Sequence, residues 1–244
     1  MTPRARSFDE FAEEYERLHN LTGDPVGAWL AERLPVRGGR ALDLGCGTGR
    51  HAVLLAERFA EVDAVDVSPA MVRIAAATRP RENIRYRVGG HTELSADGGD
   101  GGYDLVLSVS TLHHLDGLPE ALARVKRLVA PGGLAVLHDG VCEGRPPSRR
   151  RLYAREVRRL CAAAARGPRS AARSWEVFRL RTGAWLEHRV GDRFLSRAEF
   201  EHIHGAVFDA ARFEEAPNGY AMLWRRPLAT AGPAGSAERT AVNR

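Results

Sequence analysis

A glycine-rich segment preceded by an acidic residue is the first candidate for chemistry in this 244-residue chain. Gly45, Gly47 and Gly49 stand at alternate positions after the apolar run 41–44, and an apolar helical pattern begins directly after them. Glycines let the backbone turn tightly and lie against a ligand, and the N-terminus of the next helix offers it unpaired N–H groups. Asp43 would repel a pyrophosphate but suits a ligand that carries an ammonium group. A plain strand-to-helix turn is the alternative interpretation.

The histidine pair His113–His114, which follows the apolar run 103–109, is the second candidate. A histidine titrates near neutral pH and can take a proton from a phenol, hydroxyl or amine. Because ligands of open α/β sheets bind beyond the carboxyl ends of the strands, we expect Ser108, Val109 and the pair near the reacting group. The alternative is that one or both histidines only pack against a bound ligand.

Potential metal ligands are present but are not grouped in the sequence. His138 and Asp139 are both of ligand type, yet adjacent strand residues point to opposite faces, and no distant partner is evident. We therefore predict no metal site. The cysteines Cys46, Cys142 and Cys161 have no metal-site spacing, as expected of a protein in the reducing cytoplasm.

The elements that must position these residues alternate between strands and helices, which predicts a parallel sheet with right-handed crossovers. The predicted strands are 40–44, 62–67, 84–88, 103–109 and 134–138, and the helices between them are 50–59, 69–78 and 118–128. Residues 131–133, Pro-Gly-Gly, should end the last of these helices and turn into the fifth strand. Residues 217–219, Pro-Asn-Gly, lie between the strand-like runs 211–216 and 220–226 and indicate a hairpin.

A capping box opens an amphipathic helix over residues 7–18, with Phe11 and Tyr15 on its apolar side. A second helix is expected over about 24–34. We predict that this N-terminal region, residues 1–37, closes over a bound ligand as a lid that excludes water. Ordinary packing against the sheet is the alternative.

Residues 141–195 break the α/β rhythm directly after the fifth strand. We predict an Arg-rich helical insert, helical over about 148–166, that covers the pocket of the second substrate. Trp175, Phe178 and Trp185 would form the apolar wall of that pocket, because aromatic side chains give a flat organic molecule a large contact area. A dimer interface or a satellite core is the alternative. The arginines of the insert face solvent or meet an acidic group on the substrate.

Length and composition favour one enzyme domain. A chain of this length that is 44% hydrophobic can bury a sizeable core, so we predict one domain over residues 1–228 and a disordered tail over 229–244. No apolar run approaches membrane-spanning length and the N-terminus lacks an apolar signal region, so we expect a cytoplasmic protein. The net charge of +5 comes from 35 arginines and one lysine, a ratio typical of high-GC genomes. We therefore expect no nucleic-acid partner.

Residues 40–51 resemble motif I of the class I S-adenosylmethionine-dependent methyltransferases, whose glycine loop passes under the methionine part of the cofactor. The spacing G-x-G-x-G also differs from the dinucleotide fingerprint G-x-G-x-x-G. The resemblance implies S-adenosylmethionine as the cofactor, ordered by Asp43 and the loop, in which Cys46 fills space. Asp66, with Val67 beside it, stands where the family carries an acid for the ribose hydroxyls. A surface aspartate before a Ser-Pro helix cap is the alternative.

The likeness extends to residues 103–115, which resemble motif IV of the family, including the histidine pair. Residues 124–137 resemble the helix, turn and strand that precede motif V. The chain departs from the family after the third strand. The usual Gly-Asp pair, whose Asp contacts the adenine, is replaced by Gly89-Gly90-His91-Thr92. Either His91 or Thr92 supplies that contact, or backbone and packing hold the adenine.

The resemblance implies a Rossmann-like, mostly parallel sheet of seven strands, one of them antiparallel, with helices on both faces and a helical insert after strand five. It also implies an enzyme that methylates an O, N or C atom of a small molecule. The ubiquinone and menaquinone methyltransferases are the nearest group, so we expect a secondary metabolite or quinone-like acceptor and a monomer or homodimer. Tyr15 would contact the cofactor from the lid.

Two other functions stay open. RNA and protein methyltransferases that modify exocyclic or amide nitrogens usually carry an Asn-Pro-Pro-Tyr-like sequence after strand four, where this chain reads Ser108-Val-Ser-Thr. A NAD-binding oxidoreductase, or a relative that binds the cofactor without catalysis, is the candidate from another class. The glycine spacing and Asp43 argue against the NAD-binding oxidoreductase.

Overall fold

The computed structural model describes residues 3–94, 102–115, 117–146 and 148–228. The tail predicted for residues 229–244 lies outside these ranges. The strands of the sheet are β1 (Gly38–Leu44), β2 (Phe59–Asp66), β3 (Ile84–Val88), β4 (Tyr103–Val109), β5 (Val129–Asp139), β6 (Arg212–Ala216) and β7 (Gly219–Arg225). The helices are α1 (Pro3–Thr22), α2 (Pro25–Ala31), α3 (Arg50–Ala56), α4 (Pro69–Thr78), α5 (Leu118–Leu128), α6 (Arg149–Ala164), α7 (Pro168–Thr182), α8 (Ala184–Gly191) and α9 (Arg197–Val207).

The strands form a single sheet in the order β3-β2-β1-β4-β5-β7-β6. The pairs from β3 to β5 are parallel, whereas β7 runs antiparallel to both of its neighbours. The predicted fold, a mostly parallel sheet with one antiparallel strand, is therefore confirmed. The strand order reverses between β1 and β4, so the ends of these two strands open the crevice in which ligands of such sheets bind.

Alternating side chains of the parallel strands build two hydrophobic clusters, one on each face of the sheet. On one face Leu42 and Val106 pack with buried residues of α5 and α9 such as Leu122 and Phe200. On the other face Ala41 and Leu105 pack with residues of α2 and α3. The central strands are apolar on both sides because both faces are covered, as parallel sheets require.

The insert after β5 contains three helices, α6, α7 and α8, where the sequence indicated a helix only over about residues 148–166. In the second half of the insert, each helix has a single buried residue, Leu180 in α7 and Leu186 in α8. A helix that buries so little gives a weak periodic signal. The aromatic residues predicted for this region therefore lie on two different helices.

Helix α5 ends at Leu128, as predicted, but β5 begins at Val129 and not at residue 134, where the fifth strand was expected. Pro131 disfavours helical backbone in the residue before it, so the chain is already extended at this point. Gly132 takes a positive φ of 79° at the irregularity that separates the two parts of the β4–β5 pairing. The Pro-Gly-Gly segment is thus a bend inside the strand and not a turn before it.

No helix in the described ranges is long and apolar enough to cross a bilayer.

Candidate functional site

Two adjoining cavities open where β1 and β4 end. The loop cavity, of about 570 Å³, is bounded by the glycine loop, the end of β2 and residues 88–93. The insert cavity, of about 530 Å³, is bounded by the same loop, by α1 and by the three helices of the insert. Residues that line both cavities are Phe8, Tyr15, Gly45, Gly47, Val109, Ser110 and His114. A ligand in one cavity would therefore lie directly against a ligand in the other.

The three glycines of the loop have positive φ angles of 78°, 52° and 82°, and each is required for a different reason. A side chain at Gly45 would overlap Thr111, and one at Gly49 would come within 2.7 Å of the Tyr86 hydroxyl. Around Gly47, by contrast, no atom lies within 4 Å of the place that a Cβ would occupy. Gly47 thus leaves bare backbone open to a ligand, whereas Gly49 packs inside the protein as the N-cap of α3.

Asp66 ends β2 and lines the loop cavity. Its Oδ2 accepts the backbone N–H of Gly47 at 2.8 Å and its Oδ1 accepts that of Ser68 at 2.9 Å. Burial raises the pKa of this carboxyl, and the two backbone donors oppose that shift. Each oxygen keeps lone pairs for further donors, as a pair of vicinal hydroxyls would need.

His91, Thr92 and Val67, predicted beside the cofactor, also line the loop cavity. Burial, followed by the charge of Arg124, lowers the pKa of His91, which favours a neutral ring there. Cys46 is buried and lines the insert cavity. The predicted grouping of motif residues around one crevice is therefore present in the fold.

Asp43 and Ser108, two further predicted residues, lie beneath the cavities and not on their surfaces. Both are buried, and Asp43 Oδ2 and Ser108 Oγ have no hydrogen-bond partner among the described residues. Burial raises the pKa of Asp43 to about 6, an effect that His51 opposes and the charge of Asp66 reinforces. An unpartnered buried oxygen is costly, which indicates a donor that is supplied from outside the protein chain.

Helix α1 crosses both cavities and is kinked at Phe11, whose φ of −127° is not helical. Glu16 fastens the helix to the glycine loop, because its carboxylate accepts from Thr48 Oγ1 at 2.6 Å and from Arg79 at 2.6 Å. Burial would raise the pKa of Glu16, but these two donors lower it to about 2. Asp9 fastens the other end of the helix by accepting from Ser68 Oγ at 2.6 Å.

Tyr15 stands on α1 between the two cavities. Its ring lies 5.4 Å from that of Trp185, and burial raises the pKa of its hydroxyl to about 12. Phe11, which was expected on the same apolar side, packs 6.0 Å from Trp185. The helix therefore rests on the insert as well as on the loop.

His113 is held by Asp139 at the end of β5. The Nδ1 atom of His113 lies 2.5 Å from Asp139 Oδ1, and its backbone N–H donates to Asp139 Oδ2 at 2.9 Å. A carboxylate on Nδ1 favours the tautomer in which Nε2 is the proton acceptor. The ring of His114 lies 3.8 Å from that of His113, with the two planes tilted by 50°, and His114 lines both cavities.

A cluster of charged and titratable groups continues from the histidine pair into the insert. The Nε2 atoms of His113 and His188 lie 3.8 Å and 3.6 Å from Asp192 Oδ1. Donor atoms of His113, His114 and Asp192 all lie within 4.8 Å of one another, so this group offers three ligand atoms to a cation. His114 and Asp192 are 78 residues apart in the sequence. The prediction of no metal site rested on neighbouring residues and therefore did not consider this group.

The three aromatic residues predicted as a pocket wall are placed in two different environments. Trp185 lines the insert cavity and stacks on His188 at 5.4 Å. Trp175 is 57% exposed and stacks on Phe178 at 5.5 Å, and neither lines a cavity. Trp175 and Phe178 are about one helical turn apart on α7, and their rings pack on each other. The predicted wall is thus corrected to Trp185 with Phe8 and Tyr15 of α1.

Sequence reasoning missed three residues that shape the site. Asp139 was considered only as a metal ligand, and Glu16 is indistinguishable by type from the other acids of α1. Ser110 has a positive φ of 53°, lines both cavities and donates its N–H to His138 O at 2.8 Å. Strained non-glycine backbone of this kind concentrates at functional sites, but no sequence signal reveals it.

The core of the sheet is similar to proteins of known family. Residues 42–137 match the family model described as a methyltransferase domain. The chain is 41% identical over 111 residues to the magnesium-protoporphyrin O-methyltransferase of Rhodobacter capsulatus, a match that covers 45% of this chain and 49% of that protein. It is 32% identical over 119 residues to a ubiquinone biosynthesis O-methyltransferase of Xanthomonas oryzae pv. oryzae, covering 48% of each. The chain spans about half the length of the curated relatives it matches.

Among solved structures, the DhpI–SAH complex is similar over 93% of this chain and 96% of that chain, with a TM-score of 0.61 and 18% identity. That likeness shows a shared fold. The resemblance to class I S-adenosylmethionine-dependent methyltransferases that the motifs suggested is confirmed.

Proposed function

We propose that this protein, whose residues 42–137 match a methyltransferase domain, transfers a methyl group from S-adenosylmethionine to a small-molecule acceptor. The observation that carries the proposal is the pair of contiguous cavities at the ends of β1 and β4, which share the glycine loop as a wall. The loop cavity would hold the cofactor and the insert cavity the acceptor. Two relatives are O-methyltransferases by name, which supports an oxygen atom, and a quinone-like or secondary-metabolite acceptor, for this chain.

The residues of the loop cavity fit S-adenosylmethionine. The open space over Gly47 admits a ligand against the backbone. Beneath the cavity, the buried Oδ2 of Asp43, unpartnered among the described residues, can receive the donor hydrogen of an ammonium group through a bridging water. Asp66 would take the ribose hydroxyls, and His91 or Thr92 would face the adenine. When bound, the cofactor supplies an electrophilic methyl group for in-line displacement.

The chain's own contribution at the insert cavity is to orient the acceptor and to receive its proton. We assign the general base to His113, because Asp139 holds Nδ1 and directs Nε2 away from itself. His114, which lines both cavities, would position the two substrates against each other. Positioning of two reactants and exclusion of water account for most of the expected rate gain.

We further propose that α1 acts as a lid and that residues 141–195 cover the acceptor. Phe8 and Tyr15 of α1 line both cavities, so neither ligand could be fully enclosed without them. The insert completes the enclosure through Trp185. Closing an active site in this way removes water from a reaction in which charge is lost.

Calorimetric titration of the full chain with S-adenosylhomocysteine and with NAD tests the assignment. We expect saturable binding of S-adenosylhomocysteine and none of NAD. The reverse result would favour the oxidoreductase, and binding of neither would remove the basis of the proposal. The base is tested once an acceptor is turned over: His113→Gln should lower kcat while the Kd of S-adenosylhomocysteine stays unchanged, and a chelator should have no effect on the wild-type rate.

A further inference from the structure

Four arginines of the insert face the insert cavity. Arg155 and Arg159 stand on α6, Arg181 on α7 and Arg189 on α8, and all four line the cavity. They come from three separate helices, so the fold and not a local charge run brings them together. We propose that this arginine cluster binds an oxyanion of the acceptor, a carboxylate, phosphate or phosphonate group, and that the acceptor is therefore an acidic small molecule.

One carboxylate inside the cluster, that of Glu156, neutralises part of this positive charge. Glu156 is 3% exposed, and it accepts from Arg159 Nη1 at 2.8 Å and from Arg181 Nη1 at 3.3 Å. Arg155 Nε lies 3.6 Å from the same carboxylate but is buried without a hydrogen-bond partner in the described ranges. Burial would raise the pKa of Glu156, but the hydrogen bond from Arg159 and the charge of Arg181 lower it. Glu156 is therefore ionised, and each of its oxygens already accepts from an arginine.

Arg189 is the one arginine of the cluster that does not approach Glu156 closely enough for a hydrogen bond or ion pair. It is half-buried, and no described residue forms a hydrogen bond or ion pair with it. Burial and the repulsion of Arg155 lower the pKa of its guanidinium, while Glu156 and Asp192 attract it from a distance. Four guanidinium groups thus share one buried glutamate and the more distant Asp192. Guanidinium groups bind carboxylates and phosphates through paired hydrogen bonds, so an oxyanion would complete the cluster.

The inference rests on the proposed function for the identity of the cavity as the acceptor site. A different explanation is that the arginines and Glu156 only join α6 to α7. That explanation accounts for Arg159 and Arg181 but gives no role to Arg189, which is on a third helix and shares no bond with Glu156. An acceptor anion accounts for all four side chains and for their common exposure to the cavity.

Direct binding of simple anions to the full chain tests the proposal. Inorganic phosphate, methylphosphonate and benzoate are titrated calorimetrically, with chloride holding the ionic strength constant. We expect saturable binding of at least one of these probes, weakened about tenfold or more by Arg189→Gln. Arg158→Gln is the matched control, because Arg158 is exposed on the same insert and does not line the insert cavity. It should bind the probe as the wild type does.

A second variant, Arg159→Gln, is included in case Arg189→Gln does not fold, since the side chain of Arg159 is 53% exposed. Wild-type affinity in both variants, or no saturable binding of any probe to the wild type, would overturn the inference. Preference for benzoate would identify a carboxylate acceptor, and preference for phosphate or methylphosphonate a phosphorylated or phosphonate one. S-Adenosylhomocysteine is titrated into the wild type in parallel. A wild type that binds S-adenosylhomocysteine but none of the anions refutes this inference alone, whereas one that binds an anion but not S-adenosylhomocysteine refutes the proposed function.

Discussion

The carboxylate of Asp66 accepts the backbone N–H of Gly47 across 2.8 Å, so the end of β2 and the tip of the glycine loop form one unit. The residue proposed for the ribose thus also holds the loop proposed for the methionine part of the cofactor. Removal of this side chain would affect the ligand twice, once by a lost contact and once by a loosened loop.

Asp66→Ala should weaken binding of S-adenosylhomocysteine by roughly 1.5–3 kcal/mol, the usual worth of hydrogen bonds to a charged group. Asp104→Ala is the control, because Asp104 also accepts two backbone N–H groups, those of Gly39 and Arg40, but at the opposite end of β1. Calorimetry should show an unchanged Kd in the control. An unchanged Kd in folded Asp66→Ala would remove the ribose assignment.

Gly47→Val should abolish cofactor binding and leave the fold intact, because its side chain would enter the open space of the loop cavity. Valine at this position also destabilises the folded protein, because the backbone of Gly47 has a positive φ of 52°, which a β-branched residue rarely adopts. Gly144→Val measures this effect, since Gly144 has a φ of 78°, has equally open surroundings and lines no cavity. If both variants bind S-adenosylhomocysteine normally, the loop is only a turn.

Asp43→Asn should stabilise the ligand-free protein at pH 7 and weaken binding of S-adenosylhomocysteine. The folded-state pKa of about 6 exceeds the unfolded value of 3.8, so the native state holds the proton more tightly and loses stability as pH rises from about 4 to 6. Two pKa units correspond to about 3 kcal/mol at most. The difference in unfolding free energy between variant and wild type, measured by urea titration, should therefore grow across this interval. Parallel pH profiles would contradict the assignment of the shift to Asp43.

Hydrogen exchange tests the lid. Amides of residues 8–18 in α1 should exchange more slowly when S-adenosylhomocysteine is added, because the ligand would fill the space beneath Phe8 and Tyr15. Helix α9 lines neither of these two cavities and serves as the internal reference. Equal exchange rates in α1 with and without ligand would show that the helix is a fixed part of the wall.

Two tryptophans of the insert form a matched pair for the acceptor. Trp185→Ala should raise the KM of the acceptor severalfold and leave the Kd of S-adenosylhomocysteine nearly unchanged, because Trp185 lines only the insert cavity. Trp175→Ala should change neither constant, since this side chain is exposed on α7. A larger effect on KM from Trp175 than from Trp185 would mean that the acceptor binds outside the insert cavity.

The sequence was most informative where local backbone chemistry and function coincide. The loop from Gly45 to Gly49, the acid at the end of β2 and the Ser68-Pro69 cap of α4 are each recognisable within a dozen residues, and each lies where it was predicted. The parallel arrangement of the first five strands followed from the alternation of strands with helices along the chain. These features need no knowledge of which distant segments meet.

Long-range contacts could not be predicted in the same way. The contact of His113 with Asp139 joins the turn after β4 to the end of β5. The arginine cluster joins three helices whose relative arrangement depends on a few buried residues such as Leu180 and Leu186. The error on Trp175 and Phe178 has the same origin. Both lie on one side of α7, and only the packing of that helix decides which side meets the cavity.

The two outermost strands, β3 and β6, each leave one row of backbone groups without a neighbouring strand. Such edges invite pairing with other chains and aggregation. Both strands are only five residues long, and their exposed positions carry charge except for Val88: Arg85 and Arg87 on β3, Arg212 and Glu215 on β6. A second chain that added to either edge would have to strip water from these groups. The short length and the charge of the two edge strands thus disfavour edge-to-edge pairing with further copies of the chain.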